Sequence, residues 1–282
     1  MLLGMVTDPV ARAIWYIEAH LSSDYSLAVV AEAAGVSRFY LSRAFGEATG
    51  RSVMRYVRGR RLSEAARALL AGAPDILSVA LDSGYQSHEA FTRAFSDQFG
   101  ITPQTLRARG QLETISLVEP IRRDFHMAIN VQMPRIEKGR LLLLAGLAER
   151  FDFGTVQRIP LLWQRFAPFI GSVPGQVGYT TYGVSINGDD EGFDYEAAVE
   201  VESLERLPQD LKGLRIPAQT YAVFMHAGHV SALRNTMNAI WSEWLPASKL
   251  TTIDAPNFER YTDQFDPQSG NGIIEVWIPV QP

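Results

Sequence analysis

Apolar residues recur at helical spacing through residues 8–109 and at alternating spacing through most of the chain beyond. Asp8-Pro9 starts the first helix: Asp caps and Pro suits the first turn. Ile14, Ile17 and Leu21 then mark its inner face. Ser26 is placed to cap a short helix through Ala33, and Gly35 suits the left-handed residue that ends it. From Ser37 a further helix puts Leu41, Ala44, Phe45 and Ala48 on one side. Phe39, Ser42, Arg43 and Gly46 fall on the other. Residues 53–70 read as a longer helix with Val57, Leu62, Ala65, Ala66 and Leu69 inward, closed by the break at 72–74.

Part of this pattern occurs twice. Residues 30–50 (VAEAAGVSRFYLSRAFGEATG) and 79–100 (VALDSGYQSHEAFTRAFSDQFG) align Ser37 with Ser87, Arg43 with Arg93, Phe45 with Phe95 and Gly50 with Gly100. Gly35 stands against Gly84, one residue out of step. A repeat of this length is a supersecondary unit used twice. Helix, Gly-containing turn, helix is the arrangement that lays a second helix in a DNA major groove. In the second copy Phe91, Ala94 and Phe95 face inward, while Glu89, Thr92, Arg93 and Ser96 face out. An outward Arg can bridge guanine O6 and N7, or contact a phosphate.

Beyond residue 110 the period changes. Residues 110–122 read as a linker leading to a first strand. Strands follow at 140–147, 177–184, 195–201, 221–226, 258–261 and 273–280, with helices at 159–169 and 231–244. Two strand-helix-strand-strand units predict a pseudo-twofold α+β domain over 123–282, with a cleft between its halves that suits a small molecule. The fold class is thus a multidomain α and α+β chain, its helical domain spanning 1–109.

Composition narrows the chemistry. A chain of 282 residues, 46% hydrophobic, holds two ordinary domains, and without cysteine it has no disulfide, thiolate nucleophile or Cys-based zinc site. No stretch reaches the roughly 18 apolar residues of a membrane span and the start lacks signal-peptide features, so a soluble cytoplasmic protein with no membrane partner is expected. The net charge of −5 divides into +2 over residues 1–110 and −7 over 111–282. Eight Arg fall between 37 and 67. DNA affinity follows local phosphate contacts, not whole-chain charge. Arg55, Arg58 and Arg61 are therefore candidate phosphate ligands, and Arg38 is a further DNA-binding candidate.

The segment 76–107, with Gly84-Tyr85, Phe91, Arg93, Phe95, Phe99-Gly100, Pro103 and Arg107, resembles the AraC/XylS family of transcription regulators, and the likeness extends over about residues 8–109. It implies seven helices and two helix-turn-helix units joined by a linking helix, reading double-stranded promoter DNA in neighbouring major grooves. By position the first reading helix uses Phe39, Ser42 and Arg43, and the second His88, Glu89, Thr92 and Arg93. Glu89 departs from a basic reading surface; it can accept from cytosine N4 or weaken that copy. The first, richer in Arg, is expected to carry specificity. RNA polymerase is a further expected partner.

The second half resembles the GyrI-like effector-binding domain. The likeness rests on Ile159-Pro160 through Trp163-Gln164, FDYEAAVEV at 193–201, YAVFMHAG at 221–228, Trp241-x-x-Trp244-Leu245-Pro246, Phe258-Glu259-x-Tyr261 and IIEVWIPV at 273–280. It implies that Glu259 meets a cationic, apolar effector, with Glu275 the competing acid. Aromatic walls add cation–π attraction of roughly 0.5–2 kcal/mol each. The candidate walls are Trp163, Tyr182, Tyr195, Tyr221 and Trp244. An effector that changes how the acidic second half meets the basic first half would alter DNA affinity. Two other readings are weaker. His226 and His229 lack a third ligand, so no metal and no cofactor is expected. A Glu259–Tyr221 acid-base pair is the enzymatic alternative, a hydrolase of a reactive small molecule.

Overall fold

A computed structural model describes residues 8–23, 26–121, 132–189, 191–248 and 250–281. Residues 1–7 and 122–131, the latter including the end of the expected linker, lie outside the described residues. Seven helices span the first part: α1 (Pro9–Ala19), α2 (Leu27–Ala34), α3 (Arg38–Thr49), α4 (Val53–Leu70), α5 (Ile76–Asp82), α6 (His88–Phe99) and α7 (Pro103–Arg109). By packing the chain divides into two compact units. Of the described residues, one holds those within 9–38 and 53–121; the other holds 39–52, nearly all of α3, with those from 132 onward.

In the helical unit, local chemistry sets the helix ends. Asp75, Ser87 and Thr102 accept the Ser78, Ala90 and Thr105 amides at 2.7, 3.1 and 3.1 Å. Gly35 ends α2 at φ 71°, as its position predicts, whereas Ser26 makes no side-chain cap bond. Leu62, Ala65, Ala66 and Leu69 of α4 pack on Val79, Ala80, Phe91, Phe95 and Leu106. Arg60 is buried and forks onto Glu18, with Nε to Oε1 at 3.0 Å and Nη2 to Oε2 at 2.9 Å. The Tyr56 hydroxyl donates to the same Glu18 at 2.6 Å. Burial pulls the Glu18 carboxyl up, but the Arg60 and Tyr56 hydrogen bonds outweigh it and leave its pKa below the ordinary range.

The expected linker is not free. Leu112, Ile115 and Leu117 pack on the α4 cluster. Val118 donates its amide to Ser63 Oγ at 2.8 Å and accepts from Arg60 Nη1 at 3.0 Å. A Cβ on Gly59 would stand 2.7 Å from Val118 Cγ2, which explains a glycine inside α4. No strand occurs in this stretch among the described residues.

The other unit is built on nine strands: β1 (Arg135–Lys138), β2 (Leu142–Phe151), β3 (Gln176–Ile186), β4 (Phe193–Val201), β5 (Lys212–Ile216), β6 (Thr220–His229), β7 (Thr251–Thr252), β8 (Asn257–Asp266) and β9 (Asn271–Gln281). They run antiparallel in the order β1-β6-β9-β8-β3-β4-β2-β5, with β7 against β9. Helix α8 (Ile159–Phe166) follows β2, and α9 (Leu233–Ala239) follows β6 and runs on as a π-helical turn, Ile240–Trp244. The two predicted strand-helix-strand-strand units are therefore β2-α8-β3-β4 and β6-α9-β8-β9, meeting at the β3–β8 pair. The short strands β1, β5 and β7 carry no clear alternation and escape the sequence pattern.

Strand alternation gives the sheet two cores. Tyr195, Ala197, Val199, Phe151 and Phe193 pack with Leu162 and Phe166 of α8. Tyr182, Val184, Tyr221, Phe258 and Trp277 form a separate cluster on the opposite face.

Candidate effector cavity and DNA-reading side chains

Glu259 sits at the junction of the two halves. It pairs with Gly183 across β3 and β8. A Cβ at Gly183 would lie 2.0 Å from the Tyr195 hydroxyl and 2.4 Å from Glu259 Oε2. The absent side chain leaves the space in which those two groups meet. Tyr195 donates to Glu259 Oε2 at 2.6 Å, Tyr261 donates to the same oxygen at 3.1 Å, and Trp163 Nε1 donates to the Tyr195 hydroxyl at 3.2 Å.

These groups line a cavity of about 1490 Å³ with Phe153, Ile159, Tyr179, Phe193 and Phe265. Pockets for drug-sized ligands commonly span roughly 300–1,000 Å³, so this one suits a bulky guest. Burial raises the Glu259 carboxyl to about 7 against the two phenolic hydrogen bonds. Burial and the neighbouring Glu259 raise both Tyr195 and Tyr261 well above the usual phenol range, so they remain donors.

The sequence-assigned walls separate. Trp163 and Tyr195 line the cavity. Tyr182 and Tyr221 do not: both belong to the opposite core, where Tyr221 packs on Phe258 and Trp277. Tyr182 is one residue off the register of Gly183, and one residue changes face. Trp244 packs edge-on against Phe224 at 4.9 Å and is absent from the lining. The Glu259–Tyr221 pair of the enzymatic alternative is therefore not formed. Tyr261 was missed, although it stands two residues from Glu259 and period 2 puts both on one face. Glu275 is committed elsewhere, to Arg135 at 2.7 Å, Arg260 at 3.1 Å and Trp277 Nε1 at 3.0 Å. His226 is buried and pairs with Thr236 at 2.8 Å, and no metal-holding cluster occurs among the described residues.

The two helices expected to read DNA differ. On α6, His88, Glu89 and Arg93 are exposed and Thr92 is half-buried, over inward Phe91 and Phe95. Glu89 is held by its own amide and the Ser87 hydroxyl, which lower its pKa; it serves the helix start. On α3 the expected outward face is covered. Ser42 is 3% and Arg43 2% exposed, and Gly46 is also buried. Phe39 is half-buried with its ring 6.2 Å from that of Trp241; Arg38 is exposed. Arg43 lines the cavity that holds Glu259. On α4, Arg55 and Arg58 are exposed, but Arg61 gives its guanidinium to the Leu21 and Ser23 carbonyls and ties down the turn after α1. Helical periodicity finds which side of α3 leaves its own hairpin, but not what then covers it.

A tandem helix-turn-helix segment followed by a two-halved sheet with a central cavity defines a class of DNA-binding regulator. Residues 132–281 match the model of the GyrI-like small molecule binding domain, and the chain belongs to that family. Residues 30–109 match a helix-turn-helix domain. The chain is similar to the transcriptional regulator Rob of Salmonella typhimurium (strain LT2), 28% identical over 289 residues that cover 99% of this chain and 98% of Rob. The right origin-binding protein of Escherichia coli (strain K12) is 28% identical over 294 residues, again 99% and 98%. The regulatory protein SoxS of E. coli (strain K12) is 38% identical over 96 residues, 34% of this chain and 90% of SoxS. The protein is an AraC-family DNA-binding transcription regulator carrying a GyrI-like domain. No described helix is long and apolar enough to cross a membrane.

Proposed function

We propose that this regulator responds to a bulky organic cation held in the Glu259 cavity. One observation carries the reading: a carboxylate, braced by two phenolic hydroxyls, stands in an aromatic-lined space large enough for a multi-ring guest. A delocalised cation gives up little hydration on entry, meets its counter-charge at Glu259, and gains from the faces of Trp163, Tyr195 and Tyr261. A hydrated inorganic cation would lose more than these contacts return. The DNA is read through α6, with His88 and Arg93 towards the bases and Arg55 and Arg58 on phosphates.

A thermal-shift comparison tests the cavity. Tetraphenylphosphonium is set against neutral triphenylphosphine oxide, on wild type and Glu259→Gln. The cation is expected to raise Tm of the wild type more than the neutral compound does, and to lose most of that advantage in the variant. Equal shifts for both compounds would refute a cation site.

A further inference from the structure

The cavity wall already holds a cation. Arg43 belongs to α3, yet it is 2% exposed and lines the cavity that Glu259 lines. Its guanidinium lies 4.5 Å from the centre of the Phe193 ring, and Nη2 donates to Asn257 Oδ1 at 3.2 Å. Glu47 Oε1 is 4.0 Å away, at the limit of an ion pair. Nε and Nη1 have no hydrogen-bond partner among the described residues. Five donors of a buried guanidinium thus share one amide oxygen and one distant carboxylate. That is a poorly satisfied charge, held by the fields of Glu47 and Glu259 rather than by a fork.

The rest of the helix is committed alongside it. Tyr40 donates to the Trp241 carbonyl. Ser42 donates to the Asp189 carbonyl at 2.8 Å. Gly46 lies under the Phe153 ring so closely that a Cβ there would stand 2.1 Å from ring atoms. Ser42, Arg43 and Gly46 are also positions that helical spacing puts on the groove-facing side of α3. One face of α3 therefore has two mutually exclusive occupants.

We propose that Arg43 is the buried resident cation of the effector cavity, whose lining also carries the half-buried Arg260 and the exposed Arg234, and that an entering organic cation displaces it and returns the α3 reading face to DNA. The proposal rests on the Glu259 reading above. Its physics is linkage. A cationic guest binds better when the cavity does not already hold a like charge. DNA binds better when Arg43 is outside. Both ligands favour the same state, so each strengthens the other.

The test has two arms on the full-length protein. In the first, tetraphenylphosphonium is titrated calorimetrically into wild type and Arg43→Ala. The variant is expected to bind at least about 5-fold tighter, the lower end of ordinary coupling. Equal or weaker binding by the variant overturns the proposal and leaves the Glu259 reading standing. No binding by either protein overturns that reading, and the proposal with it. In the second arm no effector is present, and DNA selected from a random pool is titrated. Gly46→Ala, which favours helix but clashes with Phe153, and Asn257→Ala, which removes the Arg43 acceptor from outside α3, are each expected to bind DNA at least about 5-fold tighter than wild type. If neither does, α3 is not restrained by the cavity and the proposal fails.

Discussion

Tyr195 donates its hydroxyl to Glu259 Oε2 at 2.6 Å directly over the backbone of Gly183. The contact favours the ionised carboxylate, against burial. Burial holds the Glu259 carboxyl near 7, against an ordinary value of 4.5, so the group is partly protonated at neutral pH. A cation binds the ionised form. Its affinity should rise about tenfold per pH unit below pH 7 and level off above. Proton release on binding, read from calorimetry in two buffers of different ionisation enthalpy, should be about one proton well below pH 7 and shrink as pH rises through 7. Glu259→Gln should show weak binding with a flat pH profile.

Gly183 supplies a steric counterpart. A methyl group there meets both Tyr195 and Glu259 at less than van der Waals distance. Gly183→Ala should separate the pair, destabilise the domain by roughly 1–3 kcal/mol, and weaken cation binding. Urea denaturation and calorimetry report the two effects separately. An unchanged Tm and unchanged affinity would show that the junction is looser than its geometry indicates.

The sequence carries the helical unit and most of the sheet because their signals are local. The Gly35 helix end, the repeat, and period-2 runs such as 193–201 need no tertiary information. It carries Glu259 and Trp163 through motif resemblance. It misplaces Tyr182 and Tyr221 because aromatic content does not say which face a strand residue takes, and register does. It misses the burial of Arg43 because an Arg on an outward helix face reads as solvated, and only packing against residues more than a hundred positions away hides it. Arg61 fails for a related reason: its partners are carbonyl oxygens after α1, which side-chain patterning cannot register.

A second buried carboxyl gives a stability test. Glu196 is 3% exposed, its Oε1 has no partner among the described residues, and burial raises it to about 7 despite the charge of Lys212. Because its folded pKa lies above the ordinary 4.5, the unfolded chain releases this proton first. Its contribution is therefore intact below about pH 4.5 and is lost as pH rises towards 7. Glu196→Gln should stabilise the protein by roughly 1–3 kcal/mol at pH 8 and by little at pH 5. Denaturant curves at the two pH values check the sign.

On the DNA side, Arg93 is the exposed arginine of α6. Arg93→Ala should weaken binding to selected DNA by roughly 1–3 kcal/mol and relax sequence preference. Arg58→Ala should instead weaken all sequences alike and reduce the salt slope by about one. Fluorescence anisotropy across a salt series separates the two behaviours.

The most direct measurement is the affinity for tetraphenylphosphonium of the full-length protein, free and saturated with its selected DNA. The account predicts binding at least about 5-fold tighter in the DNA complex, because Arg43 has then left the cavity. Identical affinities in the two states would contradict it: the cavity and the reading helices would then be independent, and the protein would not be an effector-responsive regulator.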